Sequence, residues 1–346
     1  MMLISFLMKE NIWQKLAKKK NIFCLAPMIN VTDTAFRQII TKHSRHGKPG
    51  GGPDVFWTEF VSADGIASEE GRENVLRLLK FSKDEKPIIA QIFSAHPEKV
   101  KLACEIISNL GLPGQGFDGI DINMGCPDKD VIKQGAGVAL IRTPKLAREV
   151  IRAAKKGAPD LPISVKTRIG FNVVEYQTWL PELLKENISA LTVHLRTKKE
   201  MSDVPAHFEL AKDIVRVVRE HDKNVVLIAN GDIQDLEQGN RFMKESGFDG
   251  VMIGRGIFGN PWLFDSHREN SPKIQEKLKT LVEHTKLYEK LLDYRNFANM
   301  KKHFKAYVNG FDGAKELRAE LMQTNSAKEV NNIINNFIKT LYLTEK

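Results

Sequence analysis

Two stretches in the second half of the chain decide the fold: residues 224–233 read NVVLIANGDI, and residues 248–262 read FDGVMIGRGIFGNPW. Each begins with a short run of β-branched and other apolar residues, which predicts a buried strand. Each then changes at once to glycine and to polar or charged residues, which predicts a loop after the strand. Strands that are apolar along their whole length are typical of a parallel sheet covered by helices.

Six more apolar runs precede these two, about 30 residues apart: FCLAPM from 23, DVFWTEF from 54, PIIAQIF from 87, FDGIDINMG from 117, PISVKTR from 162 and ALTVHLRT from 190. Helical stripes lie between runs, over 97–110, 145–155, 208–219 and 236–245, and Thr143-Pro144 looks like an N-cap followed by proline at the first helical position. Eight strand–helix units predict a closed (β/α)8 TIM barrel over residues 1–265. An open doubly wound sheet is the competing architecture. No GxGxxG follows the first strand, which disfavours a dinucleotide-binding sheet.

The chain changes character after residue 265, where helical patterns over 274–292, 296–308, 314–322 and 328–343 replace the strand–helix alternation. We therefore predict a C-terminal all-helical bundle domain over 266–346. It holds 15 basic and 10 acidic residues, so it carries more than half of the net charge of +9. Its cations Arg295, Lys301, Lys302 and Lys305 form a run without an acid, which favours a surface that binds a polyanion over a merely solvated helix face.

Composition limits the class of protein. The chain has 346 residues, 42% of them hydrophobic, which excludes a mostly disordered protein. The three cysteines, Cys24, Cys104 and Cys126, form no CxxC pair, so we predict neither a disulfide framework nor a metal site, and a reducing cytoplasm is the expected compartment.

The N-terminus begins with the apolar segment MMLISFLM, which is too short to span a bilayer. We predict no membrane association. The segment that follows is expected to form a helix that packs on the barrel through Ile12, Trp13 and Leu16.

Functional residues of such a barrel gather at the carboxyl ends of the strands. After strands seven and eight, Gly231, Gly254 and Gly256 would let backbone N–H groups approach an anion, and Arg255 would add a fork of donors. This combination predicts a site for a phosphorylated cofactor.

Three further strand-end residues suit a bound ring system. Lys166 could stabilise negative charge on a reduced flavin, Gln91 could read an imide edge, and His194 could hold the cofactor or move a proton. Cys126 lies on a turn in NMGCP and could be a nucleophile, a general acid or a bystander, whereas Cys104 and Cys24 are expected to pack in the core.

The chain resembles the tRNA-dihydrouridine synthase family over nearly its whole length. The similar stretches, in order, are APM at 26–28, AQIF at 90–93, DINMGCP at 121–127, KQGAG at 133–137, VKTRIG at 165–170, VHLRT at 193–197, ANGDI at 229–233, IGRGIFGNPW at 253–262 and KKHFKAYVNGFDGAKELRAELMQ at 301–323.

The resemblance implies an oxidoreductase that reduces the C5=C6 bond of uridines in tRNA. It implies bound FMN, NADPH as the electron donor, Cys126 as the proton donor to C5 and Asn123 beside the target base. The cofactor contacts implied are Ala26, Pro27, Met28, Gln91, Lys166, His194, Asn230, Gly231, Asp232, Gly254 and Arg255. Phosphates of the tRNA would be met by Arg168 and Arg196 at the rim and by Arg295, Lys301, Lys302 and Lys305 of the helical tail.

Two other functions stay open from the sequence. One is an FMN barrel that reduces a free pyrimidine, against which the basic helical tail argues, because a small substrate needs no such surface. The other is a non-catalytic RNA-binding protein with a relic barrel, against which the joint presence of Cys126, Lys166 and the phosphate loops argues. Neither the target uridine nor an obligate protein partner is evident from the sequence.

Overall fold

The computed structural model of the chain describes residues 10–19, 21–111 and 116–344, with side chains described as far as residue 341. The segment MMLISFLM therefore lies outside the described residues. The described residues form nine strands: β1 (Ile22–Leu25), β2 (Phe56–Trp57), β3 (Val61–Ser62), β4 (Ile88–Phe93), β5 (Gly119–Met124), β6 (Ile163–Arg168), β7 (Ala190–His194), β8 (Val226–Asn230) and β9 (Gly250–Ile253). Each predicted apolar run contains a strand, and the run from 54 contains β2 and ends just before β3.

All strand pairs are parallel, in the order β1-β9-β8-β7-β6-β5-β4-β2, and β3 also pairs with β4. A parallel bridge between Cys24 and Val55 joins the two ends of this order and closes the ring. β4, β5, β8 and β9 are buried at every position, which explains why their sequences are apolar rather than alternating. The predicted (β/α)8 barrel is confirmed.

The helices are α1 (Ile12–Ala17), α2 (Thr34–His43), α3 (Ala63–Ala67), α4 (Arg72–Leu76), α5 (Pro97–Ser108), α6 (Lys129–Lys133), α7 (Pro144–Gly157), α8 (Tyr176–Leu184), α9 (Ala211–His221), α10 (Leu236–Ser246), α11 (Ile274–Leu291), α12 (Lys301–Tyr307), α13 (Ala314–Leu321) and α14 (Ala327–Thr344). The eight predicted helical segments are present, with 3-10 turns replacing the starts of two of them. Thr143 occupies the N-cap position of α7, but its side chain makes no capping hydrogen bond.

The helix α1 fills the barrel interior at the amino-terminal ends of the strands. Trp13 is 1% exposed and Leu16 is buried, and both pack in one cluster with Cys24 and Trp57. The predicted N-terminal helix is therefore present, and Cys24 and Cys104 are core residues.

The four C-terminal helices, α11 to α14, share a hydrophobic cluster of their own, which also includes Ala35 of α2. The C-terminal helices therefore pack against α2, the helix that follows β1. The domain boundary at residue 265 stays a prediction. Within the described residues, no helix combines the length and apolar composition that crossing a membrane requires.

Candidate active site

The loops at the carboxyl-terminal rim of the barrel enclose a cleft with about 620 Å³ of atom-free space, part of it open to solvent. The structure brings ten of the eleven predicted cofactor residues to its walls: Ala26, Pro27, Met28, Lys166, His194, Asn230, Gly231, Asp232, Gly254 and Arg255. Sequence reasoning missed Ser202, Ile233, Gln234 and Met252, which line the same cleft.

A carboxylate holds two arginines at one end of the cleft. Asp232 accepts a hydrogen bond from Arg255 at 2.6 Å through Oδ1, and it accepts from Arg196 and from the Ala206 N–H through Oδ2. Burial by itself would raise the pKa of Asp232, but the hydrogen bonds from Arg196 and Ala206 lower it below the ordinary value. The carboxylate is therefore ionised and fixes both guanidinium groups.

Arg196 still offers one donor to the cleft. Its Nε donates to the Val204 carbonyl at 2.6 Å, but its Nη1 is buried without a hydrogen-bond partner among the described residues. Gly231 has a φ of +123°, and a Cβ there would lie 3.8 Å from that Nη1. An unpaired guanidinium N–H beside bare backbone is a good fit for a phosphate oxygen. Arg196 was predicted to contact tRNA, but its side chain is buried in the wall of the cleft, where a phosphate group of a bound cofactor is the nearer candidate partner.

The middle of the cleft carries a cation and a neutral imidazole. Lys166 Nζ donates to Asn230 Oδ1 at 2.9 Å, and Asn230 Nδ2 donates to the Met252 carbonyl at 2.8 Å. Burial, reinforced by the charge of Arg168, lowers the pKa of Lys166 to about 8. Burial and the surrounding cations hold the pKa of His194 well below its ordinary value. At neutral pH Lys166 is mostly charged and His194 is a neutral hydrogen-bonding group.

Gln91 is the one predicted cofactor residue that does not line the cleft. It is fully buried; its Nε2 donates to Asp121 Oδ2 at 2.7 Å, and its Oε1 accepts from Asn123 Nδ2 at 3.2 Å. Asp121 is the neighbour of Gln91 across β4 and β5, and Ser164 also donates to it. Gln91 therefore makes its hydrogen bonds inside the barrel, and one of them orients the side chain of Asn123.

Cys126 lies on a turn that Asn123 holds in place. Asn123 Oδ1 accepts from the N–H groups of Gly125 at 3.1 Å and Cys126 at 2.9 Å. Asn123 is also the cross-strand neighbour of Lys166, so this turn borders the cleft although Cys126 is not one of the residues that line it. The thiol is partly buried against a small apolar cluster. Burial raises the pKa of Cys126, so the thiol keeps its proton at neutral pH.

Arg168 was predicted to meet tRNA phosphates, but the structure turns it inward. Its guanidinium donates to the backbone carbonyls of Gly125 at 2.9 Å and Thr197 at 3.1 Å. It therefore ties the turn of Cys126 to the loop after β7.

The predicted basic patch of the helical tail is also corrected in part. Arg295 is nearly buried and makes a bidentate ion pair with Glu59, with donor–acceptor distances of 3.1 and 2.8 Å. Lys302 and Lys305 are exposed and Lys301 is half-buried. Three lysines thus face solvent at this surface, while Arg295 fastens the tail to the barrel.

Comparison with known proteins gives concordant results. The family described as dihydrouridine synthase matches residues 24–342. The protein named "Probable tRNA-dihydrouridine synthase" of Staphylococcus epidermidis (strain ATCC 35984) is 42% identical over 334 residues, which cover 95% of this chain and 97% of that protein. "Probable tRNA-dihydrouridine synthase 2" of Bacillus subtilis (strain 168) is 40% identical with the same coverage. Among solved structures, histamine dehydrogenase from Rhizobium sp. 4-9 superposes with a TM-score of 0.52 at 12% identity, over 77% of this chain and 49% of that one, which shows the shared barrel fold.

Proposed function

The chain belongs to the dihydrouridine synthase family of oxidoreductases, and we propose that it reduces the C5=C6 bond of uridines in tRNA, with FMN as bound cofactor and NADPH as electron donor. The observation that carries the proposal is the arrangement of the cleft: an unpaired Arg196 donor at one end, Lys166 in the middle and a protonated thiol beside it. The proposed site of action is the cytoplasm, where tRNA is used.

In this proposal, one end of the cleft binds the phosphate of the cofactor and the middle of the cleft binds its ring system. Arg196 and Arg255, fixed by Asp232, would hold the phosphate of FMN together with the backbone at Gly231. Lys166 would lie against the ring system and stabilise negative charge that develops there. The chemistry that bound, reduced FMN would supply here is a hydride for C6 of the uracil ring.

In this proposal, a side chain of the protein, Cys126, donates the proton that C5 of the uracil ring receives. Cys126 keeps its proton at neutral pH because burial raises its pKa, which is the state that a general acid needs. Asn123 fixes the turn that carries Cys126, so the thiol is held in one place when a base enters. A uridine in a folded tRNA must leave its stack to reach this position, which costs a few kcal/mol. Phosphate contacts of the exposed lysines would offset that cost.

The test is turnover with an unmodified tRNA transcript. The purified protein with FMN and NADPH should convert specific uridines to dihydrouridine, detected by mass spectrometry as a gain of two hydrogen atoms. The Cys126→Ala variant should lose roughly a hundredfold or more in turnover, the range for a lost general acid, and should retain its flavin. Cys104→Ala, which removes a buried thiol on α5, is the matched control and should turn over normally.

Three results would contradict the proposal. Free uridine reduced as efficiently as tRNA would indicate an enzyme for free pyrimidines. Flavin reduction without any tRNA product would indicate an RNA-binding protein that has lost catalysis. Full turnover by Cys126→Ala would remove this thiol from the mechanism.

A further inference from the structure

Exposed apolar side chains are concentrated at the carboxyl-terminal rim of the barrel. In the described part of the chain, seven large apolar side chains are more than a third exposed. Two of them lie elsewhere, Leu102 on α5 and Met322 after α13. The other five lie in the loops after β1, β6 and β7, and we call them the apolar rim: Ile29, Val173, Val174, Met201 and Val204.

The loops that carry the apolar rim are held rigidly. The loop after β6 closes on itself so tightly that a Cβ at Gly170 would lie 1.9 Å from the Val173 carbonyl. The backbone N–H groups of Lys198 and Lys199 donate, each at 2.9 Å, to the carbonyls of Gly170 and Phe171, which joins the loop after β7 to it. A rigid exposed apolar surface costs little conformational entropy when a partner covers it.

The apolar rim is continuous with the cleft. Met201 and Val204 flank the segment that contains Ser202, which lines the cleft, and Ile29 follows Met28, which lines it too. Met201 is held at a φ of +50°, and its carbonyl accepts from Arg168 at 3.3 Å. Ile29, Met201 and Val204 therefore lie next to the cleft in the chain, and the loop with Val173 and Val174 is joined to the loop after β7 by the hydrogen bonds of Lys198 and Lys199.

Cations flank the apolar rim. The guanidinium of Arg142 stacks over Phe171 at 3.9 Å from the ring centroid, and Lys198 Nζ lies 5.3 Å from the same ring. Lys199 is exposed beside them. Of the acids in these loops, Glu175 and Glu200 accept hydrogen bonds from loop backbone, while Asp203 is exposed. The surface combines apolar contact area with three cations, Arg142, Lys198 and Lys199, of which Arg142 and Lys199 are exposed.

We propose that the apolar rim covers the unstacked bases and riboses on either side of the target uridine, while Arg142, Lys198 and Lys199 contact their phosphates. The inference rests on the proposed function and adds to it a second RNA surface, separate from the lysines of the helical tail. A base that leaves its stack exposes apolar faces of its neighbours to water. Positively charged grooves that follow the backbone are one way in which proteins hold single-stranded nucleic acid without reading its sequence, and apolar side chains beside them add contact area for the exposed faces of the bases.

The experiment compares rim variants with matched surface variants in the tRNA assay. Val173→Ser and Met201→Ser should each raise KM for tRNA about three- to tenfold, and the double variant more, with bound flavin at the wild-type level. Leu102→Ser and Met322→Ser remove equally exposed apolar side chains from other faces, and they should leave KM for tRNA unchanged.

The outcomes separate this inference from the function it rests on. A wild-type protein that produces no dihydrouridine in tRNA contradicts the proposed function. Normal wild-type turnover combined with an unchanged KM in the double rim variant contradicts the apolar rim alone. A raised KM accompanied by loss of flavin also overturns the inference, because a distorted cleft then explains it. A wild-type dimer that dissociates in the rim variants would assign the surface to a second copy of the chain instead.

Discussion

Replacing Arg295 by alanine should destabilise the whole protein, although the sequence pattern around Arg295 predicts a solvent-exposed surface. Its guanidinium donates twice to Glu59, and both side chains are nearly buried, with exposures of 9% and 2%. Glu59 Oε1 also accepts from the Asn30 N–H at 2.5 Å, in the loop next to Met28 of the cleft. The pair therefore connects the helical tail to a wall of the proposed cofactor site.

The magnitude follows from what remains after the substitution. Glu59 would keep one backbone hydrogen bond and lose its cation, beside Asp33, whose own pKa is raised to about 7 by burial and by the charge of Glu59. Removing one partner of a buried ion pair typically costs about 3–5 kcal/mol. We expect Arg295→Ala to lower the free energy of unfolding by about 3 kcal/mol, the lower end, because the edge of Arg295 is within reach of water.

Chemical denaturation followed by fluorescence measures this loss, and flavin retention on dilution measures the effect on the adjoining loop. Arg268→Ala is the matched control: Arg268 also pairs with a glutamate, Glu276, through two hydrogen bonds, but at exposures of 25% and 38%. An exposed pair contributes about 0–1 kcal/mol. Equal losses in Arg295→Ala and Arg268→Ala would refute the claim that burial makes the first pair matter.

Three further outcomes follow from the cleft and the tail. Arg196→Lys keeps the charge but removes the planar fork, so FMN should bind about tenfold more weakly in a fluorescence titration, and unchanged affinity would leave the unpaired Nη1 without a ligand. Neutralising Lys302 and Lys305 to glutamine should reduce the log–log salt slope of tRNA binding by about two, whereas an unchanged slope would show that these lysines stay solvated. The folded-state pKa of Lys166 is about 8 against 10.5 when unfolded, so between these values the unfolded chain binds more protons and this group's contribution makes stability rise with pH. Lys166→Met should flatten that rise in apoprotein denaturation curves, and an unaltered pH profile would contradict the depressed pKa.

The barrel and most of the cleft could be predicted because one physical constraint acts on every strand. A parallel strand buried on both faces is apolar along its length, so a polar residue near its carboxyl end marks the rim. His194 and Asn230 were found this way, since each ends its strand, and both line the cleft. The short helices α3, α4 and α6 were missed, because five residues are too few to show a helical period.

What could not be predicted was which polar groups satisfy one another. Gln91 was expected to read a ligand, but its partner Asp121 is set by the register between β4 and β5, which no local pattern specifies. Arg295 begins a run of cations that contains no acid between residues 295 and 305, and its partner Glu59 lies 236 residues away. Both cases concern pairs across elements, where tertiary contact and not composition decides which partner a polar side chain has.

The placement of three arginines bears on how RNA would be held. Arg168, Arg196 and Arg295 were all expected to meet tRNA phosphates, and each donates hydrogen bonds to loop carbonyls or carboxylates of the protein, although Nη1 of Arg196 stays unpaired. A guanidinium offers five donors in a fixed fork, so a rim rich in backbone carbonyls and carboxylates captures it, whereas a lysine gains less by turning inward. Arg168 and Arg196 therefore hold the loops around the cleft, and exposed cations such as Lys199 and Lys302 remain to attract the polyanion. A surface of flexible point charges around a rigid apolar mouth favours binding that depends strongly on salt and weakly on sequence, so selection of a uridine would rest on which base can reach the cleft.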